Sequence, residues 1–170
     1  MPNIVLIGMP TCGKSTVGVL LAKHLGFRFV DTDLLLQEKH GKLLHQLIEE
    51  HGIQGFIALE NDLCRTLQAD SSVIATGGSA VYGKEGMQHL KEIGTVVYLK
   101  ISFEMLKERL GDYKTRGVIL PDGYTLKDLF EERSALYESY ADVTVDETTV
   151  AGGLSETLRH TLALCQNLLK

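Results

Sequence analysis

The chain has 170 residues, of which 44% are hydrophobic and 23% charged, and carries a formal net charge of −5. That make-up fits one globular domain and excludes disorder, collagen-like repeats or coiled coil as readings of the whole. The acidic balance argues against general nucleic-acid binding, and no apolar run approaches the roughly 20 residues of a membrane span.

In chain order, short apolar runs alternate with amphipathic segments. Asn3–Ile7 reads as a strand buried on both faces. Lys14–Leu25 places Val17, Leu20, Leu21 and Leu25 at helical spacing, with Gly26 as its stop. Phe27–Val30 predicts a second strand running into Asp31-Thr32-Asp33, and residues 34–69 read as helix, broken near Gly41 and Gly52. Further strands are expected at Ser72–Ala75, Thr95–Leu99 and Val143–Val145, with helices at Glu85–Glu92, Phe103–Leu110, Leu126–Tyr140 and Leu154–Leu169. The stretch 111–124 carries Gly111, Gly117, Pro121 and Gly123 without a sustained period, and reads as a loop. Strand–helix alternation implies right-handed βαβ units and a mostly parallel sheet covered on both sides, in one α/β domain spanning 1–170.

The strongest chemical signal is Gly8-Met9-Pro10-Thr11-Cys12-Gly13-Lys14-Ser15. It satisfies G-x-x-x-x-G-K-[ST], directly after a strand and before a helix, which is the setting a phosphate loop requires. Glycines let successive N–H groups turn inward as a nest for anionic oxygens, and the helix points its positive end at the same place. Met9, Pro10, Thr11, Cys12, Gly13, Lys14, Ser15 and Thr16 are thus the expected ATP-binding residues. Lys14 reaches the β- and γ-phosphates and the Ser15 hydroxyl helps hold Mg²⁺. Cys12 reads as a small residue that fits the loop, with a reactive thiol as the alternative. Asp31 and Asp33 leave the second strand two apart, so both carboxylates face one cleft. Asp31 suits a Mg²⁺ ion. Asp33 either accepts the proton of a substrate hydroxyl or caps the next helix. Phosphoryl transfer also calls for a second cation near Lys14. Arg116 is the choice, with Arg109 and Lys114 as nearby competitors and a solvated loop arginine as the bland reading.

Taken together, these residues resemble the shikimate kinase family along nearly the whole chain. The matching pieces are Gly8–Ser15, Asp31-Thr32-Asp33, Gly77-Gly78, Val96–Leu99, Arg116, and Glu132-Arg133-Ser134-Ala135-Leu136-Tyr137 before Ala141-Asp142. The resemblance implies a three-layer α/β/α phosphate-loop domain with a five-stranded parallel sheet. It also implies a lid over about 111–124 and an acceptor-binding helical segment over about 33–62. The implied reaction moves the γ-phosphoryl group of MgATP to a ring hydroxyl of shikimate in aromatic amino-acid synthesis. Carried over, Lys14, Asp33 and Arg116 are catalytic, and Ser15 and Asp31 serve the metal. Asp33, Gly77, Gly78, Ser79 and Arg133 bind the acceptor, Arg133 through its carboxylate. The bland reading of Arg133 is an exposed ion pair with Glu131 or Glu132.

The pattern breaks at three places. The family's arginine after a phenylalanine is Ile57 after Phe56, the third glycine of the usual triplet is Ser79, and Gly117 stands where proline is common. Losing an arginine–carboxylate fork costs on the order of 1.5–3 kcal/mol of acceptor binding. Because the ATP side is intact and the acceptor side altered, the expected acceptor is shikimate or a shikimate-like hydroxylated metabolite. The alternatives are another small hydroxy acid or polyol, a nucleotide kinase, and an inactive nucleotide-binding regulator. His45 and His51 lie near the expected acceptor region. The histidines show no zinc spacing, and Ser79 lacks a hydrolase elbow. Three scattered cysteines without CxxC spacing and no signal-like N-terminus suggest a reducing cytoplasm. The expected partner is a small molecule, with no nucleic acid and no membrane, and the expected state is a monomer.

Overall fold

Burial on both faces is the property that puts Asn3–Ile7 (β1) at the centre of the sheet, where every residue of the strand is enclosed. The computed structural model describes residues 2–111, 118, 120–149 and 153–168. Arg28–Asp31 (β2), Ser72–Ala75 (β3), Gly94–Lys100 (β4) and Val143–Asp146 (β5) complete five parallel strands in the order β2-β3-β1-β4-β5. Val5 pairs with Ile74 on one side and Val96 on the other.

The helices are Lys14–Leu25 (α1), Thr32–His40 (α2), Leu44–Thr66 (α3), Lys84–Ile93 (α4), Phe103–Leu110 (α5), Leu126–Tyr140 (α6) and Gly153–Leu168 (α7). α1 packs with α7, and α3 with α4, so helices flank the sheet as the alternation implied. The expected strands and helices all form, with ends moved by at most three residues. The single turns Ala80–Tyr82 and Glu147–Thr149 were not foreseen. α3 bends at Gly52, where the sequence placed a break. Among the described residues, no helix is long and apolar enough to cross a membrane.

A small second cluster, Leu36, Leu47 and Phe56, joins α2 to α3 apart from the main core. It fixes the start of α2, which carries Asp33, relative to the middle of α3. At the opposite end of the sheet, buried Asn3 bridges three segments. Its Nδ2 donates to Ala69 O (2.8 Å) and Ile93 O (2.9 Å), and its Oδ1 accepts from Ser72 N (3.0 Å). Asn3→Ala orphans these backbone groups, so chemical denaturation of that variant is expected to show a loss of about 3 kcal/mol with an unchanged m-value.

Candidate active site

The loop after β1 is built to hold an anion. Thr11 and Gly13 take φ of 68° and 95°, turning the backbone so that its amides converge. α1 begins at Gly13 with no side-chain cap and no acidic residue in its first turn. Its leading N–H groups therefore face the cavity without a side-chain acceptor. Lys14, only 8% exposed, curls over the loop and donates to Gly8 O (2.7 Å) and Met9 O (2.9 Å). The ammonium is thus held where a polyphosphate would lie. Cys12 is fully buried and burial raises its thiol pKa, which supports packing rather than reactivity. Arg109 of α5 reaches the same loop, donating to Thr11 O (3.1 Å) and pairing with buried Glu147 (3.2 Å). From sequence, Arg109 is a competitor of Arg116 for the second cation; Arg116 and Lys114 lie outside the described residues.

β2 delivers the acidic pair beside this loop. Ser15 Oγ donates to Asp31 Oδ2 (2.9 Å), so two hard oxygen donors stand together next to the phosphate nest, a set that fits Mg²⁺. Asp31, rather than Asp33, caps α2: its Oδ1 accepts from Asp33 N (3.0 Å) and Leu34 N (3.4 Å). With the cap supplied by its neighbour, the Asp33 side chain is released into the cavity. Burial, and then the Asp31 charge, raise the Asp33 carboxyl above its ordinary range, while Lys14 acts in the opposite direction.

The turn after β3 forms the far wall. Thr76 anchors it through its N–H and hydroxyl, both donated to Leu6 O (3.2 and 3.0 Å), and Gly77 N donates to Thr32 Oγ1 (3.1 Å). Tyr137, fully buried, donates its hydroxyl to Gly78 O (2.6 Å). A methyl group at Gly77 would stand less than 3.0 Å from both Glu60 Oε1 and Asp33 Oδ1. Glycine is required there because two carboxyl groups close on the backbone.

Arg133 comes off α6 to the same place. Its guanidinium lies over the Tyr82 ring (5.5 Å), and it is 9% exposed. Among the described residues no carboxylate lies within ion-pair distance of it. Glu131 instead approaches Lys127 (3.8 Å) and Glu132 receives the Tyr124 hydroxyl (2.8 Å), which sets aside the surface-pair reading.

Glu60 is the residue that sequence reading passed over. It is 4% exposed, one turn beyond Ile57 on α3, and accepts a hydrogen bond from the Ser79 hydroxyl. Burial drives its carboxyl up to about 7, with the Asp33 charge adding to the rise and Ser79 and Arg133 opposing it. The available signal was a glutamate on the acceptor-facing helix close to the absent arginine. Phosphate loop, Asp33, glycine turn, Ile57, Glu60 and Arg133 all line one cavity of about 1460 Å³, whereas Asp31, expected to face the same cleft, does not line it and caps α2. That volume exceeds a typical single-ligand pocket and suits two substrates side by side. His45 also lines it; His51 does not.

Comparison with known proteins decides the family. The family model described as shikimate kinase matches residues 10–163. The chain belongs to the shikimate kinase family. It is 38% identical over 146 residues to the shikimate kinase of Persephonella marina, covering 85% of this chain and 88% of that one. The shikimate kinase of Aquifex aeolicus is also 38% identical, over 144 residues, covering 84% and 85%. Among solved structures, a shikimate kinase from Acinetobacter baumannii in complex with shikimate is 32% identical. It matches with a TM-score of 0.84 over 100% of this chain and 96% of the other. A gluconokinase from Sinorhizobium meliloti, 22% identical with a TM-score of 0.57, shares the fold. Membership makes the chain a phosphotransferase with an alcohol group as acceptor, on the five-stranded parallel phosphate-loop fold of shikimate kinases.

Two outcomes follow from the geometry. Gly77→Ala should raise the acceptor KM at least tenfold in steady-state assays while leaving nucleotide affinity unchanged, because the clash falls on Asp33 and Glu60 and not on the phosphate loop. Glu60 binds its proton more tightly folded than unfolded, so its contribution to stability is complete below pH about 4.5 and declines as pH rises through about 7. Denaturation at a series of pH values should show this decline, and Glu60→Gln should flatten it.

Proposed function

We propose that the protein transfers the γ-phosphoryl group of ATP to a ring hydroxyl of shikimate, with Mg²⁺ as its cofactor. The observation that carries this reading is the convergence of Asp33, the Gly77-Gly78 turn and buried Arg133 on one side of a cavity whose other side is the phosphate loop. The match over the whole chain to a shikimate kinase in complex with shikimate supports the choice of acceptor.

In this reading residues 9–16 wrap the triphosphate with backbone amides, and Lys14 leaves the carbonyls of Gly8 and Met9 to neutralise the β- and γ-oxygens. Ser15 and Asp31 hold Mg²⁺, which when bound neutralises phosphate charge. Gly77, Gly78 and Ser79 form the acceptor wall opposite the helical segment 33–62, and Arg133 takes the acceptor carboxylate. Asp33 removes the hydroxyl proton as the oxygen attacks the γ-phosphorus. The bond from that phosphorus to the β–γ bridging oxygen breaks, and ADP leaves. Arg116, on the lid about 111–124, supplies the second cation when the cavity closes and excludes water.

The test is saturable, MgATP-dependent phosphorylation of shikimate by the wild-type protein. Asp33→Asn should lower kcat about 100-fold or more without weakening nucleotide binding, the scale of a lost general base. A sugar acid or polyol with a higher kcat/KM than shikimate, or no saturable shikimate turnover, overturns the assignment.

A further inference from the structure

The missing arginine leaves an unbalanced charge, and the surrounding residues show how it is resolved. On α3, Ile57 and Glu60 are three apart and both line the acceptor side of the cavity. An arginine at 57 would have lain beside the Glu60 carboxyl. With isoleucine there, Glu60 is a deeply buried acid with no cation within ion-pair distance among the described residues. A buried carboxylate in that position is costly. The second departure from the family, Ser79, stands opposite and gives its hydroxyl to Glu60. A glycine there could offer no side-chain donor.

We propose that Glu60 stands in the acceptor site as an uncharged carboxylic acid held by Ser79, and that its neutrality stands in for the arginine that Ile57 replaces. The proposal rests on the shikimate reading for its substrate. With Glu60 neutral, Arg133 faces one acceptor carboxylate and the site tolerates it. With Glu60 ionised, an acceptor anion meets a second negative charge in a buried cavity and binds more weakly. Glu60 is a positioning residue for the acceptor, and the substitutions at 57 and 79 form one coupled change.

The groups that face Glu60 pull in both directions, and burial outweighs those that favour its charge. Asp33 from α2 is a like charge, which favours the neutral form. Arg133 from α6 is the opposing cation, drawn over Tyr82 of the turn that precedes α4. Cys64 lies one turn further along α3, where burial above all pushes its thiol up to about 12, so it is uncharged. From α4, Glu85 is engaged by Asn61 (3.2 Å).

Steady-state kinetics with shikimate at saturating MgATP, from pH 5.5 to 8.5, provide the test. Wild type should show a KM that is flat at low pH and climbs above pH about 7, approaching about tenfold per pH unit, as one linked proton requires. Glu60→Gln, which is uncharged at every pH, should hold KM near the low-pH value throughout. Ile57→Arg should lower KM and remove the climb, since the guanidinium pairs with ionised Glu60. A wild-type KM that does not vary with pH, or a climb that persists in Glu60→Gln, overturns the proposal. A second readout is independent of turnover: a carboxylic-acid carbonyl band in the infrared spectrum at pH 6, absent from Glu60→Gln and fading as pH rises. Its presence without shikimate turnover would support the protonation state while sinking the substrate assignment. Its absence would overturn the proposal whatever the kinetics.

Discussion

An ammonium folded back onto the loop that carries it is the interaction on which the site depends. Lys14 Nζ bonds the carbonyls of Gly8 and Met9 while the amides at the head of α1 have no side-chain cap. Together they make a local positive field inside a protein of net charge −5. The arrangement exists because β1 is a central strand: its paired neighbours on both sides fix the point where the chain turns, and α1 starts there. Every other group is placed relative to that point. Asp31 reaches it through Ser15, and the Gly77 turn reaches it through the hydrogen bonds of Thr76 to Leu6 at the end of β1.

The acceptor half obeys a different constraint, which is charge balance in an enclosed space. Asp33, Glu60 and an incoming carboxylate would place three negative groups against a single guanidinium. The fold meets this with desolvation, which raises the pKa of both Asp33 and Glu60. Ser79, where the family has glycine, satisfies the buried Glu60 carboxyl with a hydrogen bond whose pull toward the charged form burial outweighs. Ile57 and Ser79 therefore describe one local electrostatic problem rather than two separate losses. The separation of roles between the two halves of the cavity explains why the phosphate side can remain intact while the acceptor side changes.

Much of this was legible in the sequence because its signals are local. The phosphate loop is read from eight consecutive residues, and α5 and α6 form over the expected spans because their apolar period and flanking caps agree. Gly77 and Gly78 stand out in the sequence through the family resemblance, and the fold shows the close backbone approach that requires Gly77. What escaped depends on contacts between distant segments. Asp31 and Asp33 both suit a helix cap, and only the fold shows that Asp31 takes it. Arg133 sits in an acidic stretch that suggests a surface ion pair, yet α6 turns it inward over Tyr82. Glu60 reads as an ordinary helical glutamate; its importance comes from Ser79, nineteen residues later, and from burial. Likewise Arg109 gains its place at the loop through Glu147, on a turn that no periodicity announces.

The central claim is that the loop after β1 grips a magnesium-bound nucleoside triphosphate through Lys14 and its backbone amides. Calorimetric titration of the wild-type protein and of Lys14→Met with a non-hydrolysable ATP analogue plus Mg²⁺ tests it most directly. The account predicts saturable heat for the wild type and binding weakened by about ten- to a hundredfold in the variant, the scale of a lost charge-assisted hydrogen bond. No heat from the wild type, or equal affinity in the two proteins, would contradict it.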